Sequence, residues 1–168
     1  ALNAILVAAA SIGVPVRLGG LTYKVNSTLS VDLAKVLLDL EGGTLDFSDL
    51  DASPAIAPFT SEADPNKHVA AHRAHPIRNG TIIGPGSDSG FSCFTPVAVT
   101  FSDTPWFAGI TYENINTRGF AVMHDIVAGD FFLNMTNCSM CSVTGVASGW
   151  VLRSVGATNA GENMQITN

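Results

Sequence analysis

The sequence predicts an all-β chain wound as a parallel β-helix, with one short capping helix at its start. Three observations carry that expectation. A five-residue pattern recurs four times: His75-Pro76-Ile77-Arg78-Asn79, Ile110-Thr111-Tyr112-Glu113-Asn114, Leu133-Asn134-Met135-Thr136-Asn137 and Met164-Gln165-Ile166-Thr167-Asn168. Within it apolar residues alternate with polar ones at period two, the mark of a strand with one buried face. Each copy then ends on asparagine, which tolerates the left-handed backbone region better than other non-glycine residues and so suits a sharp bend. The asparagines stand 35, 23 and 31 residues apart, the period of a solenoid whose repeat contains strands and no long helix. Stacked side-chain amides at such a bend can hydrogen-bond up the stack as a ladder.

The elements follow in order. Residues 1–13 are an alanine-rich apolar stretch closed by Gly13, read as a helix with its stop. A helix so uniformly apolar has to be covered, and one at the start of a solenoid protects the first rung's interior and strand edge. Residues 14–168 are read as the rungs. Their first strands are Val14–Leu18, Leu21–Val25, Thr28–Val31, Val36–Leu40 and Thr44–Phe47, punctuated by Gly19-Gly20 and Gly42-Gly43. Three insertions are expected as loops on one face: residues 52–74, residues 84–103 and residues 145–162, with Trp106 and Trp150 also in loops.

Composition excludes several partners. The chain has 168 residues, 46% hydrophobic and only 13% charged, about half the ~25% usual for soluble domains. A net charge of −6 argues against nucleic acid, and no apolar run reaches the ~20 residues of a membrane-spanning helix. Cys93, Cys138 and Cys141 are an odd number. The CxxC spacing of Cys138 and Cys141 lacks a second pair or nearby histidine, so core packing is expected there rather than zinc. His68, His72 and His75 lack the glutamate of a metalloprotease helix and any close carboxylate, so no metal or cofactor is expected. The sequons at Asn26, Asn79, Asn134 and Asn137 are read as coincidental, because two of them are ladder asparagines.

Here the text of the chain resembles a known family. An apolar helix followed by Val16-Arg17-Leu18, glycine and Leu21-Thr22-Tyr23 through Leu29 is similar to the opening of the pectate-lyase-like right-handed β-helix. The run Leu40-Glu41-Gly42-Gly43-Thr44-Leu45-Asp46-Phe47-Ser48 resembles bacteriophage tailspikes and capsule depolymerases. So do Arg78 to Gly86, Ile110 to Phe120 and Asn137 to Met140. The resemblance covers the whole chain, but its motifs describe rungs rather than chemistry. It implies a homotrimer at the virion tail that recognises and depolymerises capsular or lipopolysaccharide glycan. Because the chain ends at Asn168 on the bend of a rung just begun, the N-terminal part of a longer tailspike is expected. A secreted pectate-lyase-like enzyme and a non-catalytic, glycan-binding fibre segment stay open as alternatives.

Parallel strands ~4.8 Å apart can set paired carboxylates at either glycosidase spacing, roughly 5–5.5 Å for retention or ~6.5–9.5 Å for inversion. Asp125 with Asp130 or Glu113 is the candidate catalytic set, against the alternative that these acids merely serve turns. Arg78 and His124, with Trp106 and Trp150 as stacking faces, are the candidate substrate contacts. For Arg78, an exposed ion pair with Glu113 on the next rung is the competing expectation.

Overall fold

A computed structural model describes residues 1–59, 61, 75–97, 99–101, 104–108, 110–126, 130–131, 133–141, 150–154 and 165–167. After helix α1 (Leu2–Ile12) the chain makes successive passes of short strands. These are β1 (Val16–Arg17), β2 (Thr22–Lys24) and β3 (Leu29–Asp32), then β4 (Leu38–Asp39), β5 (Thr44–Asp46) and β6 (Ile56–Phe59). The next pass is β7 (Ile77–Ile83) and β8 (Ser92–Phe94), followed by β9 (Val99–Phe101) and β10 (Thr104–Ala108). Then come β11 (Thr111–Arg118), β12 (Val122–Ile126), β13 (Asp130–Phe131), β14 (Asn134–Thr136), β15 (Ser139–Cys141), β16 (Trp150–Ser154) and β17 (Gln165–Thr167).

Strands at equivalent places in successive passes pair in parallel. One sheet runs β1-β4-β7-β11-β14-β17, with β2, β5 and β15 joined to it through β7 and β11. A second runs β3-β6-β8-β12-β16. A third, of β9, β10 and β13, stands apart, and its β9–β10 pair is antiparallel. Among the described residues the chain is therefore an all-β, solenoid-like stack of mostly parallel sheets with one short α-helix.

The repeat of the sequence is the register of the first sheet. Val16, Leu38, Ile77, Tyr112 and Met135 are aligned across five passes, and all five are buried. Asn79, Asn114 and Asn137 have φ of 61°, 53° and 51°. In β11 the left-handed residue shifts the alternation by one place: Tyr112 and Ile115 are buried while Glu113 and Asn114 between them are not. One strand thus turns a corner without losing its core face. The side chains form the expected ladder, Asn137 donating to Asn114 at 3.1 Å and Asn114 to Asn79 at 2.9 Å. At its foot Asn79 donates to the Asp39 carboxylate at 3.1 Å. Asn168 lies outside the described residues.

The first two passes turn this corner differently. Gly19 and Gly20, then Glu41 and Gly42, all take positive φ, giving a wider bend than the single asparagine. Where the wide bend meets the tight one, a Cβ on Gly80 would lie 2.4 Å from Leu40 Cβ and 2.6 Å from the Gly43 carbonyl oxygen. Only glycine fits there.

Helix α1 ends as expected, with Gly13 left-handed at φ 67° and its N–H bonded to the Ala9 carbonyl. Leu6 and Ala9 enter the core. Asn3 also closes the open edge of β3, donating to the Thr28 carbonyl at 2.8 Å and accepting from the Ser30 N–H at 3.0 Å.

The expected insertions are corrected. Residues 56–59, 92–94 and 150–154 are not loops but strands of the second sheet, and Trp106 lies in β10 rather than a loop. The second sheet escaped detection because its strands do not alternate. Strands β6, β8 and β12 show consecutive buried residues, and burial on both faces erases the period-two signal.

Candidate functional site

The candidate acids sit on strands of three different sheets. Glu113 sits on the first sheet in line with Arg78 and Thr136. Asp125 sits on the second sheet in line with Arg153. Asp130 opens β13, aligned with Phe107 of β10 in the separate small sheet. The corner of each pass thus places Glu113 and Asp125 on different sheets.

Arg78 is half-buried and turned to the preceding pass, its Nε 2.9 Å from Asp39 Oδ2. Among the described residues it makes no ion pair with Glu113, so the expected partner was one pass off. The polar column Arg17, Asp39, Arg78, Glu113 alternates in charge, and Arg17 reaches diagonally to Glu41 at 3.4 Å. Thr136 and Thr167 continue the column, their hydroxyls 3.3 Å apart. This is cross-strand pairing of the ordinary kind.

His124 is a core residue. It lies in the register column of Leu29, Ile56, Phe94 and Leu152 and is fully buried. Its Nδ1 is 3.0 Å from the hydroxyl of Tyr112, which crosses the core from the first sheet. The Tyr112 ring stacks on Phe94 with centroids 4.1 Å apart. A buried polar pair satisfied across the core ties the two sheets together. Trp150 aligns with Val122 and Trp106 with Val99; their side chains lie outside what is described.

One polar constellation remains, on the second sheet around Asp125. Arg153 grips this carboxylate with two nitrogens, Nε to Oδ1 at 2.7 Å and Nη2 to Oδ2 at 3.1 Å. Ser92 Oγ donates to Oδ2 at 2.5 Å and Thr95 Oγ1 donates to it at 2.9 Å. Arg153 Nη2 also donates to Ser92 Oγ at 3.0 Å. The Asp125 side chain is 5% exposed and that of Arg153 42%. Burial pushes the Asp125 pKa up, but hydrogen bonds from Arg153, Ser92 and Thr95, with the Arg153 charge, outweigh it. The carboxyl is held below its ordinary range and stays ionised. Such a group can orient a guanidinium; it has no proton to give as a general acid.

Ser92, Thr95 and Arg153 were not singled out from the sequence. Ser92 and Asp125 are 33 residues apart and Asp125 and Arg153 are 28, close to the ladder's own spacings. They are out of phase with the bends, however, following Asn79, Asn114 and Asn137 by 13, 11 and 16 residues, and Ser92 is in register with Val122 rather than Asp125, so the repeat does not reveal them. Among the described residues, no group of three or more His, Cys, Asp or Glu side chains is placed to hold a metal ion. No described helix is long and apolar enough to cross a membrane. Comparison with protein-family models, curated proteins and solved structures finds no match to this chain.

Proposed function

We propose that this chain is a run of right-handed parallel β-helix from a homotrimeric, tailspike-like protein of a virion tail that binds bacterial capsular or lipopolysaccharide glycan. The observation that carries the reading is the stack of register-aligned polar columns on parallel strands. Strand spacing of ~4.8 Å repeats donors and acceptors along one axis, as a polymer of similar sugar units repeats its own. A rigid stack holds them in place before binding, which lowers the entropic cost of association.

Within this reading the Asp125 cluster binds rather than cuts. Its carboxylate is ionised and so has no proton to give as the acid of a glycosidase, and at 5% exposure with four hydrogen bonds accepted it presents little of itself for attack as a nucleophile. That favours the glycan-binding form of the proposal over a depolymerase acting through Asp125 and Glu113. The test is to pass purified chain over immobilised capsular polysaccharides and lipopolysaccharides while following solution viscosity and new reducing ends. Retention without either change is the expected result. Cleavage that disappears in Asp125→Asn would overturn the binding-only form, and failure to retain any glycan would remove the proposal.

A further inference from the structure

We infer that Arg153 is the glycan-recognising group of the second sheet, and that the ligand it selects carries a carboxylate, as in uronic or sialic acid units. The inference rests on the glycan reading and adds the substrate class. The asymmetry of the Asp125–Arg153 pair is its basis. The carboxylate is sunk and the guanidinium emerges, at 5% and 42% exposure. Asp125 is bonded by Nε and Nη2 of Arg153 and by the Ser92 and Thr95 hydroxyls, and at 5% exposure it presents almost nothing to a ligand. Nη2 is further committed to Ser92. Among the described residues Nη1 is bonded to no group, and it carries two N–H donors and no acceptor.

A donor-only edge selects acceptor oxygens, and among glycan substituents the carboxylate forms the charge-assisted, stronger bond. Asp125 cancels much of the guanidinium's charge, so attraction at a distance is weak and selectivity comes from placement. The fork on Asp125 fixes the guanidinium plane, so little rotamer freedom remains to be lost on binding. Lysine offers a charge on a flexible stem and no such fork.

The experiment compares binding of the full chain to polygalacturonate, hyaluronate, alginate and polysialate, each beside its carboxyl-reduced neutral counterpart. Wild-type chain binds at least one acidic polymer and loses about tenfold or more in affinity when the carboxylates are reduced. Arg153→Gln abolishes that difference, and Arg153→Lys restores only part of it. Should Arg153→Gln fail to fold, judged by its thermal transition, Arg153→Lys carries the test through the same ratio. Equal binding of acidic and reduced polymers, or an acidic preference untouched in a folded Arg153 variant, overturns the inference and leaves the glycan reading standing. Absence of binding to both series and to neutral capsules removes both.

Discussion

At the scale of the residue, the bend asparagine does two separable things. Its backbone holds a left-handed conformation, φ 53° at Asn114, and its side chain bonds Asn79 below and Asn137 above. Alanine at this position loses both bonds, worth about 1 kcal/mol each at most because the amides are exposed. It also puts alanine, without asparagine's tolerance of the left-handed region, at a backbone position that costs an ordinary residue roughly 1–2 kcal/mol. Glycine loses the bonds but not the backbone ease. Asn114→Ala is therefore expected to lower unfolding stability by about 2–3 kcal/mol, with Asn114→Gly recovering about 1 kcal/mol of that. Urea unfolding of the two variants reads both parts. If glycine is no better than alanine, the left-handed backbone is not what selects asparagine here.

At the scale of the element, helix α1 and strand β3 show how an open strand edge is managed. Strand β3 is the outermost strand of its sheet, and Asn3 supplies through one side chain the acceptor and donor that a neighbouring strand would have given to Ser30 and Thr28. Removing it exposes an edge of the kind that recruits other chains. Asn3→Ala is expected to cost about 1–2 kcal/mol and to raise light scattering on warming. A melting curve and scattering unchanged from wild type would show that the helix protects the edge by bulk alone. The helix, its Gly13 stop and the asparagine strands were legible in the sequence because each obeys a local rule: an uninterrupted apolar run, a left-handed cap, strict alternation. The second sheet was not legible. Val122, Met123, His124 and Asp125 are all buried in succession, so nothing in that stretch alternates. Asp125 accordingly looked like a turn acid or a catalyst, when its depth and its Arg153 partner depend on a strand 28 residues onward.

At the scale of the whole molecule, a chain with few charges has sunk several of its acids into the stack, and this fixes its response to pH. Burial works to raise the Asp39 pKa, but the Glu41 N–H, the Asn79 amide and Arg78 together outweigh it, so the group titrates below its usual 3.8. Asp125 is lowered by Arg153, Ser92 and Thr95 against the same opposition from burial. Asp46 is lowered first by the Ser48 backbone N–H, against burial, with help from the Ser48 hydroxyl, Lys24 and Arg118. A carboxyl whose pKa is lower folded than unfolded contributes stability above its unfolded value, and that contribution drains away as pH falls through the folded value. All three therefore act in the same direction, and the unfolding midpoint should hold near neutrality and drop steeply below about pH 4. Asp39→Asn should lower stability at neutral pH, because it weakens the hold on Arg78 at the foot of the ladder, and should also flatten the acid slope. Denaturant titrations of wild type and variant from neutral pH into the acid range measure both. A variant that is weaker at neutral pH yet keeps the full acid slope would mean that Asp39 is already protonated in the fold. In that case Arg78 and Asn79 stand beside a neutral acid, and the ionised foot of the ladder is wrong.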